Sequence, residues 1–370
     1  MSLSANRMLA PGTFLLGTFA SNCSSGMSVT KVPGRWDNSW ANNLELARLL
    51  DAAGIDFMLP IARWIGYGGE TNFHSSVLET MTWAAGLLTQ TRQINVFTTV
   101  HTVANHPVVV AKQLATLDQI SAGRVGLNIV AGWNKPEYEA LGLTLPDDHE
   151  TRYGYAQEWF DVVKALWTRT EAFDWDGRYF KLKHVLGEPR PAASIPIINA
   201  AGSQEGRKFA VRNAEFLFTP AIDCARSKEE VAALKQQAAA SGRAVEVLTF
   251  AHVVCRPTEK EAREYLNYFG RTHADWEAVD NLVRLQFAHA QSFPHDLLAL
   301  IRDRMAAGHG GFPLTGTPQQ VAEGILALHE AGFCGTTLSF VDYVEEFPYF
   351  RDNVLPILED HGLRPARTHP

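Results

Sequence analysis

Apolar runs of four to eight residues alternate along the chain with amphipathic stretches long enough for helices, which is the sequence mark of a parallel α/β fold. Candidate strands are Thr13–Thr18, Phe57–Ile61, Ile94–Thr99, Val125–Val130, Pro196–Ala200, Glu215–Phe218, Val247–Val254 and Thr336–Phe340. Candidate helices lie between them, near 42–53, 78–90, 107–121, 152–168, 204–213, 227–241, 258–270 and 317–331. Gly54 and Gly332 stand where a helix should stop before the next strand. Thr317-Pro318-Gln319-Gln320 reads as a helix start, with Thr as cap and Pro in the first turn. Eight alternating units predict one domain over 1–370, a closed (β/α)8 TIM barrel. The alternative is a doubly wound open sheet, which would carry a Gly-rich fingerprint after its first strand. The first loop reads Phe19-Ala-Ser-Asn-Cys-Ser-Ser-Gly26 instead.

Three segments exceed simple connections. Residues 20–39 make a long first loop. Residues 170–191, with Phe173, Trp175, Tyr179 and Phe180, predict a small hairpin on the rim. The largest insertion, near strands 7 and 8, covers about 271–316 and ends in Gly308-His309-Gly310-Gly311. Two readings of it stand side by side, an active-site lid and a set of packed extra helices.

The apolar share of 46% is ample for one large core, and a net charge of -7 with scattered Lys and Arg argues against nucleic acid as a partner. The four cysteines show no C-x-x-C spacing, which suits a reducing cytoplasm better than a disulfide framework or a zinc site. The first residues lack the apolar stretch of a signal peptide and no window approaches a membrane span, so a cytoplasmic enzyme is expected.

In a barrel the site lies at the C-terminal ends of the strands. Read in order, those ends are Ala62-Arg63-Trp64, Thr98 to His101, Asn128 to Glu137, Ala201-Gly202-Ser203, Thr219 and Asp342-Tyr343. They hold no H-E-x-x-H metal set, no G-x-S-x-G nucleophile elbow and no carboxylate pair of the glycosidase kind. His101 and His106 read as structural histidines rather than catalytic ones. Asn128 interrupts an apolar strand; inside a core an amide requires a polar partner, the alternative being that it caps a neighbouring loop. Gly202 and Ser203 follow a strand and open a helix, where backbone N–H groups and a hydroxyl suit a phosphate. Arg152 and Tyr153 begin another helix and could add charge-assisted hydrogen bonds.

The stretch Asn128-Ile129-Val130-Ala131-Gly132-Trp133, with Glu137 after it, resembles the fourth strand and following loop of the bacterial-luciferase-like flavin-dependent monooxygenases. Gly54-Ile-Asp56-Phe, residues 111–124, Arg152-Tyr153, Ala201-Gly202-Ser203, Gly316-Thr317-Pro318 and Phe350…Leu355-Pro356 carry the same resemblance over nearly the whole chain. The look is nearest to the pyrimidine, dimethylsulfone and alkanesulfonate monooxygenases. The resemblance implies a two-component enzyme that receives FMNH2 from a separate NAD(P)H:flavin reductase. It would use O2 as co-substrate on a small organic substrate, with C–S, C–N or ring cleavage, as a homodimer or homotetramer. Carried over by position, the flavin contacts are Ala62, Arg63, Asn128, Glu137, Arg152, Tyr153, Gly202 and Ser203, with Gln204 the alternative to Ser203. Thr99 and Asn128 match the pair that lines the oxygen pocket. Val100-His101-Thr102 departs from the small residues of the pyrimidine enzyme, and Ser25-Gly26 with Val29-Thr30-Lys31 resembles the dimethylsulfone enzyme, which points to a sulfur compound. Two other classes stay open: a deazaflavin-dependent hydride-transferring reductase of the same superfamily, and a non-catalytic flavin-binding protein.

Overall fold

The computed structural model describes residues 6–10, 12–200, 202–286 and 295–365. Its strands are β1 (Leu15–Phe19), β2 (Phe57–Leu59), β3 (Asn95–His101), β4 (Val125–Val130), β5 (Phe173–Asp176), β6 (Lys181–Val185), β7 (Ile197–Ala200), β8 (Phe216–Phe218), β9 (Glu246–Cys255), β10 (Phe312–Gly316) and β11 (Gly335–Ser339). Eight of them run β1-β2-β3-β4-β7-β8-β9-β11 in parallel, and β11 pairs back onto β1, so the sheet closes into a barrel. The predicted closed barrel is therefore the observed one, with each candidate strand in place. β5 and β6 form the expected antiparallel hairpin outside it.

Local chemistry explains the frame. Ser39 accepts the Asn42 N–H and starts the helix Trp40–Ala52, whose Asn43, Leu46, Ala47 and Leu50 are buried on one face. Gly54 and Gly332 take φ of +71° and +93°, conformations that admit glycine without strain and end their helices where expected. Thr317 and Gln320 form a complete capping box on Pro318–Glu330.

Two features lie beyond the sequence reading. The stretch 271–316 holds the helical pieces expected of it, Trp276–Gln286 and His295–Gly308, but it also holds a strand, β10. Pro313 disguises that strand, and it is tolerated there because it sits exposed on an edge. The helices Tyr343–Asn353 and Leu355–Asp360, which complete the barrel after β11, escape a periodicity reading because Pro348 and Pro356 punctuate them.

Side chains pack in two layers. Inside the barrel lie Met8, Leu15, Phe57, Leu59, Phe97, Ile198, Phe216, Phe218 and Leu248; the larger cluster fills the space between strands and helices. At the N-terminal end a buried ion pair between Asp56 and Arg364 ties down the C-terminal segment. Gly126 in β4 lies against the Phe97 ring, where an added Cβ would stand 2.3 Å from a ring carbon. Gly126→Ala is accordingly expected to lower unfolding stability by about 1–3 kcal/mol through overpacking, measured by denaturant titration. Among the described residues no helix is long and apolar enough to cross a membrane.

Candidate active site

The C-terminal mouth of the barrel is floored by Phe19, Phe218 and Phe250, with ring centroids 5.1 to 6.0 Å apart. Beside this apolar floor, β3 and β4 pair so that Thr99 stands opposite Asn128. Thr99 Oγ1 donates its only proton to the Pro60 carbonyl at 2.6 Å, so toward Asn128 it can act only as an acceptor. That fixes the amide: Asn128 Nδ2 donates to Thr99 Oγ1 at 3.2 Å. Asn128 thus has a strand partner and is no loop cap. Its Oδ1 remains buried with no hydrogen-bond partner among the described residues, a state that costs stability unless something donates to it.

The loops after β2 and β4 are locked together. Arg63 Nη1 donates to Glu137 Oε2 at 3.0 Å, and Glu137 Oε1 accepts the Trp64 N–H at 2.7 Å. Both side chains are almost wholly buried, at 4% and 0% exposed. The Arg63 guanidinium stacks on Tyr67 and Trp133, 5.0 and 5.2 Å from their centroids. Burial raises the Glu137 carboxyl above its ordinary range, while Arg63 and the Trp64 N–H oppose that shift. Ala62, just before this pair, is 7% exposed. Arg152 is also turned inward: it donates to the carbonyls of Gly132, Asp147 and Asp148 and so holds the loop after β4. Arg63 and Glu137 brace each other and the backbone, Arg152 braces the backbone, and together they shape the mouth.

On the β4–β7 side, Tyr153 and Ser203 meet although they come from different helices. Burial raises the Tyr153 phenol, and a side-chain hydrogen bond with Ser203 pulls it back. The Tyr153 ring lies 5.7 Å from Phe209. Ser203 also caps Gln204–Asn213, accepting the Gly206 N–H at 3.1 Å. Gly202 is exposed and nothing stands within 4 Å of where its Cβ would be, so the backbone there is open to a ligand. Ala201 lies outside the described residues.

His101 is buried and hydrogen-bonded. Its Nδ1 is 3.1 Å from the Tyr138 hydroxyl, and burial, then Arg63, pulls it down to about 3, which keeps it neutral. The His106 ring contacts Phe180 edge-on at 5.9 Å. Sequence reasoning missed Tyr67, His74 and His309, which form a buried cluster at the mouth; they lie far apart in the chain and share no motif. It also missed the aromatic floor, for which Phe19 and Phe218 at two strand ends and Phe250 within β9 were the available signal. Among the described residues no cluster of His, Cys, Asp and Glu could hold a metal ion.

A flavin fits these features. Its polar ring edge suits Asn128 Oδ1, its apolar face the aromatic floor, and its phosphate the open helix start at Gly202 and Ser203 beside Tyr153.

A family model for luciferase-like monooxygenases matches residues 15–334. The chain is 30% identical over 345 residues to an FMNH2-dependent dimethylsulfone monooxygenase of Pseudomonas fluorescens, covering 92% of this chain and 93% of that one. It is 30% identical over 365 residues to the pyrimidine monooxygenase RutA of Methylobacterium radiotolerans, covering 96% and 94%. In three dimensions it resembles DmoA of Hyphomicrobium sulfonivorans, with a TM-score of 0.83 at 21% identity over 97% of this chain and 91% of that one. The motif stretch around Asn128, the closed barrel and the match over most of the length agree: the chain belongs to the luciferase-like monooxygenase family.

Proposed function

We propose that the protein is the oxygenase of a two-component system, using FMNH2 from a separate NAD(P)H:flavin reductase and O2 to oxidise a small organic sulfone, sulfonate or heterocycle. The observation that supports this reading is the fixed Asn128 amide, whose buried Oδ1 has no hydrogen-bond partner among the described residues and is free to accept from a bound group. A reduced flavin supplies that donor, and when bound it activates O2 and delivers one oxygen atom to the substrate. The chain's own residues do the rest. Tyr153, Ser203 and Gly202 hold the phosphate. Arg63, Glu137 and Arg152 fix the loops around the ring, and Ala62 lets it approach the end of β2. Thr99 and Asn128 offer a polar, uncharged surface that orients the reacting edge, and the burial of that surface excludes water.

Anaerobic titration with FMNH2 followed by air tests the reading. Tight, stoichiometric binding and substrate-dependent oxidation are expected; hydride transfer from a deazaflavin without O2, or inert flavin binding, would replace it. Tyr153→Phe combined with Ser203→Ala should weaken FMN binding by about 2–4 kcal/mol, the loss of two hydrogen bonds to a charged group. Ser203→Ala should also cost about 1 kcal/mol of helix capping, so affinity and melting temperature are measured together. Unchanged affinity would put the phosphate elsewhere.

A further inference from the structure

A cavity of about 60 Å³ lies at the rim between the loop after β2, the end of β3 and the helix Thr80–Leu88. Its lining runs from Trp64, which is 44% exposed, and half-buried Met81 to Ala62 and Thr99, which are buried. The last two are the residues set against the flavin ring in the reading above. Thr99 and Val100 both line the cavity, and successive side chains of a strand point to opposite faces. The cavity therefore reaches across the rim from the helix layer to the barrel mouth.

Size and polarity decide what it can take. A cavity of ~10–15 Å³ holds one water and one of ~150 Å³ admits benzene, so this one excludes an organic ring and accommodates a diatomic gas. Its polar side chains are largely committed within the wall. Thr80 Oγ1 donates to the Thr99 carbonyl at 2.8 Å, and Asn105 Nδ2 donates to the His101 carbonyl at 2.9 Å. The Glu79 carboxylate caps the helix, accepting the Met81 and Thr82 N–H groups at 2.9 and 2.8 Å. Thr99 Oγ1 is held by Pro60 and Asn128, and Arg63 Nη1 by Glu137. Arg63 Nε is left over, buried with no partner among the described residues. A buried water needs two to four polar partners, and a single donor falls short of that. Val77, Leu78, Met81 and Val100 give the remaining wall an apolar surface. Such a wall holds water poorly and a small apolar molecule well.

We propose that this cavity is the entry of O2, a side passage distinct from the mouth that admits flavin and organic substrate. The inference rests on the flavin-dependent reading above and adds a route to it. Flavin and substrate bound together fill the mouth, and that filling keeps water from the reacting edge. O2 still has to reach the same edge. A passage that starts beside Trp64 and Met81, runs along Val77, Leu78 and Val100, and ends at Ala62 and Thr99 meets both demands. It passes an uncharged gas while offering water few hydrogen bonds. The arrival of O2 is then independent of whether substrate occupies the mouth.

The test begins without flavin. Crystals of the unmodified protein pressurised with xenon should show the gas beside Met81 and Val100, because xenon enters apolar cavities that water leaves empty. Met81→Trp should exclude it, and Leu78→Phe is the second block should the first variant fold poorly. When the FMNH2-loaded protein is mixed rapidly with O2, a block should slow flavin oxidation about tenfold or more and leave FMNH2 affinity unchanged. Met81→Ala should keep or raise the parent rate. Ordered water alone in the cavity under xenon overturns the inference while leaving the flavin reading intact. Oxidation at the parent rate in a folded variant that excludes xenon does the same. Failure of the unmodified protein to bind FMNH2 overturns both.

Discussion

Asn128→Leu is expected to cut substrate oxidation on the order of a hundredfold or more, as when one preorganised polar group is removed from a reacting centre. Leucine nearly keeps the bulk of the asparagine. What disappears is the amide that Thr99 holds at 3.2 Å and the Oδ1 that no group among the described residues satisfies. Reduced flavin should still reoxidise, now releasing hydrogen peroxide without product. FMN affinity should fall only modestly, because the phosphate end at Tyr153 and Ser203 is untouched. If Asn128 were only a structural amide, the variant would lose melting temperature and keep its yield of product per flavin oxidised. Melting temperature, product and peroxide measured on one preparation decide between the two outcomes.

Glu137→Ala should be the most destabilising single change at the mouth, by about 3–5 kcal/mol in denaturant unfolding. The Arg63 guanidinium, with its side chain 4% exposed, would keep its charge in a buried site while losing its carboxylate partner at 3.0 Å. The Trp64 N–H would lose its acceptor as well. Replacing both partners together, Arg63→Met with Glu137→Leu, should cost far less than Glu137→Ala alone, since no unpaired charge remains. A double variant as unstable as the single one would show that packing rather than charge fixes these loops.

The barrel was legible because its strands and helices differ in hydrophobic period and because the punctuation is local: Gly54, Gly332 and the Thr317 capping box act within a few residues of chain. Asn128 announced itself as a polar residue inside an apolar run. β10 and the helix Tyr343–Asn353 stayed hidden, since Pro313 and Pro348 read as breaks and only an edge position or a tertiary contact permits them. Side-chain direction was the other illegible quantity. The sequence places Arg152 next to Tyr153, yet one turns inward to three carbonyls and the other reaches Ser203. Arg63 and Glu137 could be named from their positions after strand ends, but their mutual bond depends on how two loops cross. His74 and His309 meet only because the segment between β9 and β10 folds back over the loop after β2, and no periodicity spans that separation.

β9 changes neighbours partway along. Glu246 to Leu248 pair with β8, and from Ala251 to Cys255 the strand pairs with β10. Without β10 the upper half of β9 would present a row of bare N–H and C=O groups at the rim, an edge ready to accept a strand from another molecule. The insertion therefore keeps the open end of the barrel from becoming an aggregation seam. That duty constrains how far its length and sequence can drift, whatever substrate the mouth admits.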